Sequence, residues 1–391
     1  MPDRGPWGRR ATPDPDPTSQ RGPAPDPGPP PPAASHYPCP SCGAILTYRP
    51  GETRLTCPFC GATTEIAPAD ADAMEAAWRE HDFEAALAGK AAGVDMETTQ
   101  VVHCEACGAS VAFDPGQHAA VCPFCATPVV ADTTPDRHIK PQALLPFALD
   151  AREAQARVSR WLGGLWFAPS GLKQFARSKG ALSGVYTPWW TFDARTETAY
   201  AGERGDTYYV TVRGKDGKPQ QVPRIRWTPA SGRVARDFDD VLTCGSATLP
   251  EAQGGDLGGW DLSDLRPYAR DWLAGFRAEA YTVDLREAWG AARADMEAVI
   301  AQDVRRAIGG DQQRVRRMDT RIADVTFKHV LLPVWIGAYR WKGRSFRVVV
   351  NGRTGAVRGQ RPWSAWKIAL AVVAALALAG VALWLASLQQ G

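Results

Sequence analysis

Eight of the nine cysteines in this 391-residue chain fall into two clusters that share one spacing. Cys39-Pro-Ser-Cys42 is followed, fourteen residues on, by Cys57-Pro-Phe-Cys60, and Cys104-Glu-Ala-Cys107 by Cys122-Pro-Phe-Cys125 at the same interval. The second cluster repeats the first at a constant offset of 65, so that Gly43, Pro50, Gly51, Pro58 and Phe59 recur as Gly108, Pro115, Gly116, Pro123 and Phe124. Paired C-x2-C knuckles aim four sulfurs at one point. The pattern therefore predicts two tandem zinc ribbons, with Cys39, Cys42, Cys57 and Cys60 holding one Zn²⁺ and Cys104, Cys107, Cys122 and Cys125 a second. Four disulfides would need an oxidising compartment, and a redox C-x2-C would be one motif beside a βαβ pattern. With sulfur at all four positions no place is left for water, so both ions are expected to be structural.

Between knuckles, 44–48 and 53–56 read as a hairpin across Arg49-Pro-Gly-Glu52, and 110–113 and 119–121 repeat it across Asp114-Pro-Gly-Gln117. Units this small bury too little apolar surface to fold alone, and metal supplies what is missing, roughly 10–16 kcal/mol per structural site. Three knuckles are followed by Gly and the fourth by Ala126. His103 and His118 lie nearby with no vacant ligand position to fill.

Around the ribbons the chain divides by composition. Residues 1–35 form a Pro-rich tail expected to be disordered, and no apolar export segment precedes the first ribbon, 36–66. Residues 67–100 read as an acidic helical spacer, and 101–131 as the second ribbon. From 66 to 100 there are eight acids against Arg79 and Lys90. Residues 140–361 are rich in Trp. Asp150-Ala-Arg-Glu153 and Asp284-Leu-Arg-Glu287 are capping-box patterns, each opening a helix that precedes short predicted strands. Tyr186-Thr-Pro188-Trp-Trp190 and Leu331-Leu-Pro333-Val-Trp335 begin the two strand runs alike. The predicted class is α+β: two zinc ribbons, a Trp-rich domain of two helix-plus-antiparallel-sheet repeats, and one C-terminal transmembrane helix. The tryptophans are expected to be core, and Cys244 a small packing residue.

The transmembrane expectation rests on Ile368–Ala386, nineteen residues without a charge, inside an anchor taken as 367–387. Trp363, Trp366 and Trp384 flank it as an aromatic belt would. Basic residues precede it and none follows, which predicts a single-pass C-terminal anchor with the bulk of the chain in the cytoplasm. From 310 to 367 there are thirteen Lys and Arg against three acids, a stretch suited to anionic membrane lipid or to nucleic-acid phosphates. No phosphate-binding G-x-x-x-x-G-K-[S/T] loop, H-E-x-x-H or G-x-S-x-G motif is present, so a non-enzymatic role is expected.

Three resemblances can be drawn on these residues. Cys39-Pro-Ser-Cys42, Leu46-Thr-Tyr48 and Leu55-Thr-Cys57-Pro-Phe-Cys60-Gly resemble the zinc-binding insert of the primosomal replication-restart helicase (primosomal protein N′), although the helicase's ATPase motifs are missing. Phe346–Val357, with Asn351-Gly-Arg-Thr-Gly355, resembles the closing hairpin of PepSY-like modules. The whole layout resembles a family of bacterial membrane-anchored tandem zinc-ribbon proteins of unassigned role, which implies an inner-membrane location. The function expected is a membrane-anchored adaptor or scaffold that binds a protein partner and membrane lipid. The alternative is a membrane-associated nucleic-acid-binding protein that uses Tyr48, Arg49, Arg54 and Phe113 on the ribbon hairpins.

Overall fold

Three strands of 31, 26 and 30 residues carry most of the architecture. The computed structural model describes residues 37–91, 93–112, 119–125, 127–130, 134–166, 182–213, 218–249, 257, 259–341, 344–360 and 363–388. Among these, one sheet has nine strands: β1 (His81–Asp82), β2 (Ala143–Leu144), β3 (Ser183–Arg213), β4 (Pro219–Cys244), β5 (Arg266–Pro267), β6 (Arg277–Ala278), β7 (Gln312–Trp341), β8 (Arg344–Asn351) and β9 (Val357–Gly359). Its order is β4-β3-β7-β2-β5, with β6 beside β3, β1 and β8 beside β7, and β9 beside β8. At ~3.3 Å per residue, β3 runs roughly 100 Å.

The sequence pattern suggested several short strands here, and the structure has long ones. The strands run on through bulges: the β3–β4 register shifts around Asp193, and the β3–β7 register shifts there and again between Ala201 and Gly202. A bulge absorbs an extra residue, keeps the strand running and adds twist. Nor do the two predicted repeats have sheets of their own. Tyr186 lies opposite Pro333 and Pro188 opposite Leu331, so the two similar strand starts are antiparallel neighbours in one sheet.

Among the described residues five α-helices accompany the strands: α1 (Ala71–Trp78), α2 (Phe83–Leu87), α3 (Ala151–Gly164), α4 (Leu285–Ile308) and α5 (Ala365–Leu388). Both predicted N-caps form, with Asp150 and Glu153 making a reciprocal capping box and Asp284 accepting from the Glu287 N–H. On α4, Ala288, Ala292, Met296, Ile300, Val304 and Ile308 fall on one buried face, which lies against β4, β3 and β7. The helix ends at Gly309, whose φ of 67° suits only glycine without strain.

The acidic segment expected to be a solvated helical spacer is part of the body. Its helix breaks at Arg79, where the backbone turns extended, and His81–Asp82 pair with Phe327 and Thr326 of β7. The cause is electrostatic. Lys328 is nearly buried in β7, and its ammonium is met by Glu80 and, at 3.0 Å, by Asp240.

Trp166 is 81 % exposed, but Trp189, Trp190 and Trp335 are buried in the core as expected. Their ring N–H groups donate to Thr187 Oγ1, the Val283 carbonyl and the Leu149 carbonyl. At the other extreme α5 is exposed from Ile368 to Ala382. Ala365–Ala382 has a mean hydropathy of 2.1, making this helix long and apolar enough to cross a membrane.

Candidate metal centres and the surfaces around them

Both cysteine clusters close. Within each, the four sulfurs lie within 4.8 Å of one another. Across the two knuckles, Cys39–Cys60 and Cys42–Cys57 are 3.5 Å apart, and Cys104–Cys125 and Cys107–Cys122 are 3.6 Å apart. A tetrahedron with ~2.3 Å metal–sulfur arms has edges of about 3.8 Å, so the donor sets fit a tetrahedral ion.

The backbone explains the convergence. In each knuckle the first cysteine's N–H donates to the carbonyl five residues on: Ala44, Ala62, Ala109 and Thr127. In three of them a glycine with φ between 74° and 79° then donates back to the first cysteine's carbonyl. Such turns point amides at sulfur. The Cys60 N–H bonds the Cys57 sulfur and brings that thiol down to about 6. Cys42 goes the other way: against the Ala44 N–H, the neighbouring sulfurs of Cys60 and Cys57 raise it to about 12. Four thiolates this close cannot all ionise without a cation between them.

The second site has an addition that the motif does not reveal. Cys125 Sγ lies 3.2 Å from Thr127 Oγ1, where the first ribbon has Ala62 at the equivalent position. Glu80, Asp193 and Asp240 also converge. That group already has its cation in Lys328, which the hydrogen bond and charge of Glu80 hold above its ordinary pKa although burial acts against it.

The two ribbons differ in how their strands pair. In the first, Thr47–Tyr48 pairs with Arg54–Thr56 as predicted, and Thr63–Glu65 adds a third strand. In the second, Ser110–Ala112 pairs with Met96–His103, and Ala119–Val121 with Pro128–Val130. The predicted hairpin is therefore not formed by these strands. Met96–His103 supplies an eight-residue partner that also pairs with Thr134–Ile139.

The residues proposed for nucleic-acid contact fare unevenly. Tyr48 is 3 % exposed, packs edge-on against Trp272 and donates its hydroxyl to the Phe147 carbonyl at 2.9 Å, so it belongs to the core and not to a surface. Arg49 and Arg54 are exposed, but both pair with Glu52, whose carboxyl is held below its ordinary pKa by the hydrogen bond from Arg54. Phe113 and His118 lie outside the described residues, as does Ala126. Cys244 packs beside the second ribbon, its thiol pushed up to about 12 by burial.

A basic surface that sequence reasoning did not single out lies at the far end of the long sheet. Past Gly309, where α4 stops, residues 204–213 of β3 and 218–228 hold five Lys and Arg against Asp206 alone. The local charge count was the signal that could have found it.

No known protein family, curated protein or solved structure matches this chain.

Proposed function

We propose that this protein is a membrane-anchored, zinc-stabilised scaffold without catalytic activity of its own, facing the cytoplasm. The observation that carries this reading is where the apolar helix leaves the sheet. Gly359 of β9 pairs with Val348 of β8, which pairs with Gly337 of β7, next to the Ile336–Ser183 pair that begins β3. The span thus departs from one end of a sheet whose longest strand runs roughly 100 Å to the other. Lys367 Nζ reaches the Trp166 carbonyl at 3.2 Å, tying the start of the helix to the end of α3. Such a body holds a surface at a fixed distance from a bilayer.

The two four-cysteine sites suit zinc among the metals that thiolates select, and four sulfurs leave it no open position for chemistry. Reduced thiolates and basic residues before the span both favour the cytoplasmic side.

Two measurements test this. Protein purified under reducing conditions should carry two Zn²⁺ per chain; one ion, or iron–sulfur absorbance, would refute the metal assignment. Leu376→Lys with Leu378→Lys should move the protein to the soluble fraction, because each Lys costs about 2.5–3.5 kcal/mol at a helix centre. Protein that stayed in the membrane fraction would end the anchor reading. Cross-linked capture from membranes, with and without nuclease, then separates protein partners from nucleic acid.

A further inference from the structure

Trp166 sits just past the end of α3 and is turned out of the core, although the residue before it is not. Leu165 is buried in the apolar cluster of Phe147, Trp272 and Trp335. The Leu165 and Trp166 N–H groups donate to the Leu162 and Gly164 carbonyls. The backbone is therefore fixed, and it holds the indole in the open. An indole has a broad apolar body and one polar N–H, so it suits a boundary between water and an apolar phase.

The fold says which boundary. The Arg157 side chain lies over Gly355, in the turn before β9, and the Trp161 ring lies over Gly359, the last residue of β9. Further on, Lys367 Nζ reaches the Trp166 carbonyl at 3.2 Å. Taken in chain order, these three contacts show α3 running alongside β9 in the same direction, towards the end from which α5 leaves. Lys367 immediately precedes Ile368, where the uncharged stretch begins. A lysine so placed keeps its ammonium among the lipid headgroups, and this ammonium is bound to Trp166. The indole is thus within one lysine side chain of the span, with the exposed Trp363 and Trp366 just before it. At that depth the surrounding medium is the headgroup layer.

The charges agree. Arg160 is exposed, six residues or roughly 9 Å of helix behind Trp166, and among the described residues no carboxylate pairs with it. A residue at that distance meets phosphates at the outer edge of the headgroup layer, which adds roughly 5–8 Å to each side of the hydrocarbon core. Arg358 of β9 is exposed nearby.

We infer that the end of α3 is a second membrane contact, in which the Trp166 ring enters the headgroup layer and Arg160 binds the headgroup phosphate of an anionic lipid. This deepens the anchored reading and rests on it. The body is then seated on the bilayer at two neighbouring points, α5 and Trp166, and its orientation is fixed where a single tether would leave it free to swing.

The test uses the full chain in nanodiscs of equal phosphatidylcholine and phosphatidylglycerol, with Trp166→p-benzoylphenylalanine as a photo-crosslinking probe and adducts identified by mass. Irradiation should join residue 166 to lipid, whereas the same probe at Tyr208, towards the other end of β3, should give no lipid adduct. Arg160→Ala should lower the ratio of phosphatidylglycerol to phosphatidylcholine adducts about fivefold, the usual contribution of one basic residue near an anionic surface. Arg152→Ala, two turns further back on α3, should leave that ratio unchanged. All these residues are exposed, and unchanged zinc content verifies folding. Embedded protein that yields no lipid adduct at residue 166, or adducts only within the chain itself, would overturn the inference and leave the anchor standing. A lipid ratio indifferent to Arg160→Ala would overturn the phosphate contact. Protein that never enters the disc would refute the anchor, and this inference with it.

Discussion

The two ribbons carry the same motif and use it differently. Phe59 and Phe124 occupy the same place in Cys-Pro-Phe-Cys, yet Phe59 is 82 % exposed and Phe124 is completely buried. The first ribbon docks through its hairpin: Tyr48, Leu46 and Leu55 join an apolar cluster with Cys57, Phe147, Trp272 and Trp335, leaving Pro58, Phe59 and Cys60 in solvent. The second docks through that very knuckle, with Phe124 and Cys122 packed against Val185 of β3, Val334 of β7 and Val349 of β8. It is stitched down by the Ala280 N–H to the Ser110 carbonyl and a bridge between Val111 and Glu279. A repeated motif therefore dictates the metal site and not the side that faces the protein. Neither ribbon is an independent bead, because each shares its core with the sheet.

The largest effect should come from removing a ligand. Cys57→Ser and Cys122→Ser should each lose one of the two metal equivalents, with apparent binding energies on the order of 10–16 kcal/mol at stake. Because Cys39 and Cys57 belong to the cluster of Tyr186 and Trp335, Cys57→Ser should also lower the melting temperature of the sheet body. A body that melts unchanged would mean that the ribbon folds apart from it.

Next comes the aromatic pair. Phe124→Ala should cost about 3–5 kcal/mol in chemical denaturation, the usual range for a large buried ring, and Phe59→Ala no more than about 0.5 kcal/mol. Equal costs would erase the contrast between the two docks.

The second dock should also depend on pH. Glu279 is buried, with one carboxyl oxygen accepting from Ser246 at 2.8 Å and Thr248 at 2.9 Å and the other without a partner. Burial raises its pKa from 4.5 to about 8, against those two hydrogen bonds. The folded state thus holds a proton that the unfolded chain releases above pH ~4.5. Stability is complete below that value and falls as pH rises towards 8, by up to about 1.4 kcal/mol per unit. Glu279→Gln should flatten this slope. An equally steep profile in the variant would place the titrating group elsewhere.

What could be read from the chain follows the range of the interactions. Both four-cysteine sites were legible because each knuckle is closed by bonds within five residues. The caps at Asp150 and Asp284, the first hairpin and the apolar helix were legible for the same reason. The long strands were not, since a bulge at Asp193 or beside Gly202 looks locally like a turn, and only the strand opposite decides between them. The second ribbon's pairing was missed because its partner strand, Met96–His103, crosses the boundary drawn at residue 100 between the acidic spacer and the ribbon. Glu80 contradicts the solvated reading of that spacer only through Lys328, 248 positions away. Tyr48 was misplaced on the same account: an aromatic beside Arg49 on a ribbon hairpin reads as a contact surface until the cluster around Trp272 is known.

Tyr48 also offers the finest test of the comparison. The offset of 65 places Phe113 at its position in the second ribbon, so Tyr48→Phe gives the first ribbon the second's residue there. The ring contacts with Trp272 and Phe276, at 5.2 and 6.0 Å between centroids, would remain. Only the hydroxyl's bond to the Phe147 carbonyl would go. Burial pushes this hydroxyl up to about 12, so it stays a protonated donor throughout the range in which the protein is handled. The loss should therefore be independent of pH and amount to about 1 kcal/mol in urea denaturation, with both metals retained. No loss would show that the ring alone holds the first ribbon in place. A loss of metal would show that the dock and the first zinc site are one cooperative unit.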